Sequence, residues 1–499
     1  MSTVRPARDP RTSIAPSIAP SALDRLTQTV REEIALLAYP DRPWVAPAAG
    51  PDGGTALDVL IVGAGQSGLL TAAALKREGV VRTHLVDAAP PGLEGPWLSF
   101  ARMHELRSPK VTVGSEFGLP NLGLRRWFEA RHGRAAWEAV QRVPRTDWAA
   151  YLAWYRAVWD LSVENGTQVE DIRPAGALLA VACRSGAGLR TRYARLVVLA
   201  TGSDGAGGWR VPAVVADGLP ASRYDHANGP IDLARLAGRR VGVLGHGASA
   251  FDAGVAALEA GAASVDLCFR RARLPRVNPH RAIETAGMMT HYPSLPDSLR
   301  WRIARHFRAV DQPPARHSFE RATAMPGFRL HCAAPWLAVG MEGDAIRVEI
   351  PDATLRFDHV IAATGQAVDL AARPELRSLH PRVARWGDRY APPPGEADAR
   401  LAQLPYLGPA FEFLPRDPGA DDWVRRVHAF SSASTVSHGP HATSIAGHRH
   451  ALPRLVRGLT RTLFLAQADH ILPELRAYSE PDLSIPDDFE DTHGRAPRH

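Results

Sequence analysis

Short, unbroken apolar runs that end on glycine clusters dominate the hydrophobic pattern of this chain. Residues 57–63 read LDVLIVG and lead through GAGQSG into a helix of small residues that ends at Gly79. Residues 240–261 repeat the arrangement, with VGVLG running into HGASAFD and an alanine-rich helix. Such runs, too short for helices and bounded by turn residues, predict strands buried on both faces in a parallel sheet. A further short strand follows each helix, at 83–86 and 264–268. Two more apolar runs, 196–202 (LVVLATG) and 360–365 (VIAATG), end in the same triplet. Helical spacing of apolar positions appears at 23–37, 125–160, 299–310 and 444–470. The tryptophans of the second stretch (Trp127, Trp137, Trp148, Trp154 and Trp159) are read as core.

This order of units predicts an α/β fold with two Rossmann-like dinucleotide-binding domains, the second inserted into the first. The expected division is a helix and linker at 1–54, the first part of the outer domain at 55–225, and the inserted domain at 226–355 with a helical insertion at about 278–328. The outer domain resumes at 356–470, and 471–499 form a tail expected to be disordered from 481 onward.

Composition changes this picture little. The apolar fraction of 45% and charged fraction of 22% are ordinary for a globular protein. No run of 18 apolar residues predicts a membrane span, and residues 1–20 lack the apolar segment of a secretory signal. Three cysteines (Cys183, Cys268 and Cys332), odd in number and far apart, point to a reducing compartment and a cytoplasmic location. The net charge of +7 raises a nucleic-acid partner, but the basic residues are scattered, and of 59 only Lys76 and Lys110 are lysines. No nucleic-acid partner is therefore expected. The 23–37 helix carries Asp24, Glu32 and Glu33 on its polar face, which favours packing against the body or a second subunit and leaves a homodimer open.

The chemistry lies in the glycine loops. A dinucleotide pyrophosphate must approach backbone amides at a helix N-terminus, which demands residues without a Cβ. Gly63, Gly65 and Gly68 supply them, and the next strand ends in Asp87, near the spacing at which a carboxylate accepts hydrogen bonds from the adenosine ribose. The alternative for Asp87 is a simple strand-end turn. In the second loop, Gly245 and Gly247 precede Ala248 and Ser249, and alanine replaces the third glycine. The tip of the following strand carries Phe269, Arg270 and Arg271 where an NAD site shows an acid. Paired arginines suit a 2′-phosphate, so this nucleotide is expected to be NADPH.

Taken together, these motifs resemble the class B flavoprotein monooxygenases, including flavin-containing and Baeyer–Villiger monooxygenases. The resemblance runs from about 58 to 465. It rests on GAGQSG, on Gly95-Pro96-Trp97, on Leu106-Arg107-Ser108-Pro109-Lys110, on both Ala-Thr-Gly triplets and on the inserted GHGASAFD. It implies FAD on Gly63, Gly65, Gln66, Ser67, Gly68 and Asp87, with Trp97 beside the flavin and Val169 near the adenine. It implies NADPH on Gly245, Gly247, Ser249, Arg270 and Arg271, with Thr201, Gly202, Thr364 and Gly365 at the crossings between domains. His438 and Gly439 would mark where the flavin's pyrimidine edge meets a helix N-terminus. The histidines at 438, 441, 448 and 450 fit no common zinc spacing, and no metal is expected.

The family's linker signature is degraded here to Tyr224-Asp225-His226-Ala227-Asn228-Gly229, with no clear Baeyer–Villiger version. Gly68 stands where siderophore-type N-hydroxylases tend to carry asparagine. Arg107 replaces an asparagine that contacts flavin and oxygen in many relatives, which hints at an anionic substrate. The implied chemistry is reduction of FAD by NADPH, addition of O₂ to give a C4a-(hydro)peroxyflavin, and transfer of one oxygen to a small organic substrate, at N or S in preference to a carbonyl. Arg107 is assigned to the oxygen-activation site, and Lys110 is expected to anchor its segment on a carboxylate or backbone carbonyl. Substrate contacts are sought at 278–328, among Met288, Met289, His291, Tyr292, Trp301 and Phe307. A disulfide reductase is excluded by the lack of a cysteine pair. An NADPH oxidase and a non-catalytic nucleotide sensor stay as rival readings.

Overall fold

A computed structural model describes residues 21–114 and 116–484. The first helix, α1 (Ala22–Leu36), is capped by Ser21 and Asp24 in a reciprocal box and buries Leu26, Val30 and Ile34. Strand β1 (Leu57–Val62) then runs into α2 (Gln66–Arg77) and back into β2 (Thr83–Val86). A helical layer follows, α3 (Leu124–His132), α4 (Arg134–Ala139) and α5 (Arg145–Val158). Next come β3 (Val163–Glu164), β4 (Gln168–Ala175), β5 (Leu178–Ser185) and β6 (Gly188–Leu199). The first sheet has the order β3-β2-β1-β6-β5-β4. β1, β2, β3 and β6 are parallel, while β4, β5 and β6 form an antiparallel meander.

β1 shows why its apolar run is unbroken. Val59 and Ile61 face the core shared with α1, α2 and the tryptophan-rich helices, whereas Leu60 and Val62 face a second core built with residues 370–436. Both faces are covered, so residues 59–62 are apolar throughout, and the strand's one polar residue, Asp58, is buried in an ion pair with Arg82 at 3.1 Å.

The chain crosses over at residues 200–206 and forms β7 (Gly207–Trp209) and β8 (Tyr224–His226). β9 (Arg240–Leu244), α6 (Ala248–Glu259) and β10 (Ser264–Cys268) make the second strand–loop–helix unit. Helices α7 (Ala286–His291), α8 (Asp297–Val310) and α9 (Arg316–Ala324) precede β11 (Phe328–His331). A three-stranded antiparallel sheet, β12 (Ala338–Glu342), β13 (Ala345–Ile350) and β14 (Ala353–Phe357), covers one face of the second sheet. β15 (His359–Ala362) completes that sheet, whose order β11-β10-β9-β15-β8 is parallel throughout. The return crossing gives β16 (Gln366–Val368), which pairs antiparallel with β7, so the two crossings hold each other. β17 (Val427–Ala429) adds to β6 in the first sheet.

The long helix expected at 444–470 is two helices, α10 (His448–Leu465) and α11 (Ala468–Ala477), with a break at 466–467. Residues 439–447 wind tightly ahead of α10: a Cβ on Gly447 would lie 1.6 Å from the His441 carbonyl oxygen. The tail from 485 lies outside the described residues. Among the described residues no helix is long and apolar enough to cross a membrane.

Candidate active site

Both glycine loops sit between a buried parallel strand and the first turn of a helix, as backbone approach requires. Gly63 has φ +99°, and a Cβ there would lie 2.5 Å from the Ala200 oxygen. On Gly68 a Cβ would lie 1.8 Å from the Gly63 oxygen, which is why helix and strand can close here. Gly65 caps α2 without any side-chain hydrogen bond, and Gly247 does the same for α6. Two uncapped helix N-termini at glycines suit two pyrophosphates.

Asp87 lies at the tip of β2. Its carboxylate accepts from the amides of Ala64 (2.7 Å) and Ala89 (2.8 Å), and burial raises its pKa despite both bonds. Val169 is buried two residues beyond Thr167, whose amide bonds the Asp87 carbonyl. Trp97 packs edge-on to Trp148 at 6.0 Å, beside Gly95, whose backbone abuts Gly65. The side chains of Gln66 and Ser67 are engaged elsewhere. Ser67 Oγ lies 2.9 Å from Nε2 of His448, whose Nδ1 donates to the Ser444 carbonyl at 2.6 Å. Gln66 lies 3.3 Å from the same ring. What these two residues offer a phosphate is therefore their amides, and their side chains tie α2 to α10.

A cleft of about 870 Å³ opens between the two sheets, large enough for a coenzyme and a small substrate together. Gly245, Gly247, Ser249, Arg270, Thr364, Gly365 and Arg107 all line it. At the expected 2′-phosphate position the two arginines part company. Arg270 forms no ion pair or hydrogen bond among the described residues, whereas Arg271 donates to the Ala309 carbonyl (3.0 Å) and stands 3.7 Å from Asp311. Thr201 and Gly202 hold the first crossing, and Gly202 adopts φ +63°.

Other residues stand apart from this cleft. His438 lies outside the cleft: it is buried, stacked on Phe411 at 3.7 Å, and donates through Nε2 to Gly408 O at 2.9 Å. Burial pushes its pKa down to about 3, so it is a neutral core residue. Gly439, φ +92°, makes room for the ring of Tyr292. Lys110 also lies away from the cleft wall. It donates to the carbonyls of Trp137 (2.7 Å) and Val140 (2.7 Å) at the end of α4, the kind of backbone anchor expected of it. Arg107 does reach the cleft, but its guanidinium is paired with Asp252 on α6 at 2.9 Å. Of the aromatic and sulfur residues sought at 278–328, Phe307 lines the cleft. Trp301 and Tyr292 are buried, the former donating to Glu396 O.

Sequence reasoning missed His246, Asn228, His280, Arg308, Asp311, Gln312, Gln366 and Arg400, which share the wall. His246 Nε2 lies 2.9 Å from Asp311, whose φ of +63° holds it at the end of α8. His280 meets His441 at 3.2 Å, and burial pushes its pKa down to about 4. His246 lies inside the second glycine motif and Asn228 inside the linker segment 224–229, whereas His280, Arg308, Asp311, Gln312, Gln366 and Arg400 belong to no motif.

Two dinucleotide loops, the second lining this cleft and the first opening on a separate hollow lined by Gly65, Glu94 and Trp97, define a two-cofactor oxidoreductase, and comparison with known proteins identifies its kind. An FAD-NAD(P)-binding family profile matches residues 60–204, and the L-lysine 6-monooxygenase/L-ornithine 5-monooxygenase profile matches 136–312. The chain is 44% identical over 463 residues to the FAD-dependent urate hydroxylase of Xanthomonas campestris, spanning 92% of this chain and 97% of that protein. It belongs to the same family, within the class B flavoprotein monooxygenases, and uses FAD and NADPH. Similar folds occur in ornithine hydroxylase from Pseudomonas aeruginosa (TM-score 0.64, 16% identity, 82% of this chain and 99% of that one). L-lysine 6-monooxygenase from Pseudomonas syringae is comparable (TM-score 0.62, 19% identity, 81% and 99%).

Proposed function

We propose that this monooxygenase hydroxylates a small, planar, anionic heterocycle of the urate class, with FAD on the first loop and NADPH on the second. The observation that carries the reading is the charge of the cleft. Arg270 and Arg400 stand in its wall without an ion pair among the described residues, Arg107 and Arg308 stand there already paired with Asp252 and Asp398, and the one carboxylate lining it, Asp311, is engaged by His246. NADPH draws on part of this charge, Arg270 first. The remainder disfavours the ammonium group of a diamine or basic amino acid, which needs an unpaired carboxylate. Asn228, Gln312 and Gln366 offer donors and acceptors to a ring edge of alternating carbonyls and N–H groups. The urate hydroxylase relative points the same way.

FAD, when bound, would supply the redox chemistry between NADPH and O₂. The balance is substrate–H + O₂ + NADPH + H⁺ giving substrate–OH, water and NADP⁺. The chain's own share is positioning. The first-turn amides of α2 and α6 would hold the two pyrophosphates, Asp87 the ribose edge of the first loop, and Arg270 the 2′-phosphate. Leu244, Phe269, Trp336, Leu401 and Leu404 keep the cleft wall apolar. Three cysteines without a disulfide, two of them buried, favour the cytoplasm.

The test is NADPH-dependent loss of urate with oxygen uptake, run beside ornithine, lysine and cadaverine. Stoichiometric consumption of urate, NADPH and O₂ is expected. Hydroxylamine formation from an amine, with urate inert, would replace this reading with N-hydroxylation, which the match at 136–312 favours.

A further inference from the structure

Residues 102–107 form a strap between the two sheets, and nearly every residue in it is a rung. Arg102 donates to the carbonyls of Ala227 and Gly229, the latter at 2.7 Å. His104 lies 2.9 Å from Glu259 at the end of α6. Glu105 accepts from Arg321 on α9 at 2.8 Å, with His317 at 3.6 Å. Arg107 meets Asp252 in the middle of α6 at 2.9 Å. The other edge of the strap is fixed to the flavin side, where the Leu106 amide bonds Val143 O (2.8 Å) and the Arg145 amide bonds His104 O (3.0 Å).

One rung differs from the rest. The Asp252 side chain is 5% exposed, whereas the glutamates of the outer rungs keep 27–40%. Asp252 also accepts from Ser318 Oγ at 2.6 Å, so one buried carboxylate joins α6, α9 and the strap. It stands on the helix that begins at Gly247, so any movement of Asp252 carries the second glycine loop with it. A buried carboxylate deprived of its guanidinium is strongly destabilised and must move towards water or another partner.

We propose that Arg107 and Asp252 are a positioning pair: a latch that fixes the NADPH loop relative to the FAD loop so that the reduction step occurs at reacting distance. Arg107 acts through the placement of α6, and its charge is spent on Asp252. Reacting atoms must approach to about 3–3.5 Å, and a displacement of about 1 Å costs on the order of a hundredfold in rate. The latch therefore controls the rate of flavin reduction far more than the affinity for NADPH.

The experiment compares Arg107→Glu, Asp252→Arg and the double exchange in the FAD-loaded enzyme. Anaerobic bleaching of the flavin at saturating NADPH is expected to slow about tenfold to a hundredfold in each single variant. Half-saturation should shift far less, flavin content should persist, and the double exchange should recover most of the rate. Small-angle scattering without NADPH should show a larger radius of gyration in the single variants and a return towards wild type in the double. Wild-type bleaching in the single variants overturns the proposal, as does a double exchange that stays slow despite normal scattering. Should the reversals not fold, Arg107→Lys and Ser318→Ala replace them: slowed bleaching at unchanged flavin content supports the latch, and an unchanged rate in both removes it. Bleaching requires no substrate, so the outcome is independent of the urate reading.

Discussion

At Gly65 an added Cβ would meet Gly95 Cα at 3.5 Å, while at Gly247, its counterpart in the second loop, it would find nothing within 4 Å; the third glycine, Gly68, where a Cβ would collide with Gly63 O at 1.8 Å, is Ala250 in the second loop. The same backbone motif is thus built into the protein at one site and open at the other. Around the first loop, Asp87 bonds the Ala64 amide, Gly65 abuts Gly95, and Gln66 and Ser67 are held by His448. Around the second, Gly247, Ser249 and Arg270 face the cleft. The difference teaches how one motif serves two kinds of cofactor. An enclosed loop suits a resident group that stays through many turnovers, and an open loop suits a coenzyme that must leave oxidised and be replaced.

The largest effect should come from filling the closed loop. Gly68→Val drives a branched side chain into the turn of β1 and α2, an overpacking cost of about 3 kcal/mol or more. The purified protein should be colourless and melt well below wild type. A yellow variant of normal stability would mean the first loop is not closed as described.

Acid should separate the two halves next. Burial pushes His428 and His448 down to about 4 and His438 down to about 3, and all three lie on the flavin side. A depressed imidazole is neutral in the fold and charged when unfolded. Its contribution is full above the unfolded value near 6.5 and is lost as pH falls towards 4. Each site costs up to about 1.4 kcal/mol per pH unit in that window. Thermal stability of the wild type should therefore fall steeply below about pH 6.5, with flavin release accompanying it. His438→Asn should be less stable near neutrality yet shallower in slope; an identical slope would show that His438 does not carry this term.

Coenzyme choice tests the open side. Arg270→Ala removes an uncommitted guanidinium at the cleft and should raise KM for NADPH roughly ten- to a hundredfold, about 1.5–3 kcal/mol, with NADH little changed. Arg271→Ala should change the ratio less, because that side chain is already committed to Ala309 and Asp311. Equal losses for both coenzymes would remove Arg270 from the 2′-phosphate.

The strand–loop–helix units were legible because a strand covered on both faces leaves a short apolar run ahead of its glycine turn, as at 59–63, 241–245 and 360–365. The meander of β4 to β6 was not. β6 starts as GLRTRY, with arginines on its exposed half, and only its last residues are continuously apolar. Both loops were read from their glycines, whose backbone demands are local. Gln66, Ser67 and His438 were placed near the flavin, but side-chain commitment depends on partners hundreds of residues away, such as His448 for Ser67. Asp311, Gln366 and Arg400 carry no local signal, and only the crossing of the sheets brings them to one wall.

The smallest effect is expected where the two loops differ most. Gly247 has φ −73° and ψ 172°, a conformation any residue adopts, and no atom stands within 4 Å of its Cβ direction. Gly247→Ala should therefore fold normally, keep its flavin and melt within about 0.5 kcal/mol of wild type. Its cost falls on the coenzyme alone, because the methyl group occupies space that the pyrophosphate needs when it approaches the first-turn amides of α6. KM for NADPH and for NADH should rise together, since both carry the same pyrophosphate, in contrast to the selective loss in Arg270→Ala. Titrating the anaerobic enzyme with each coenzyme separates the two outcomes. A parallel, modest weakening supports an open loop that meets the shared part of the coenzyme. Loss of flavin, or unchanged affinity for both coenzymes, would show that the second loop is not where NADPH lies.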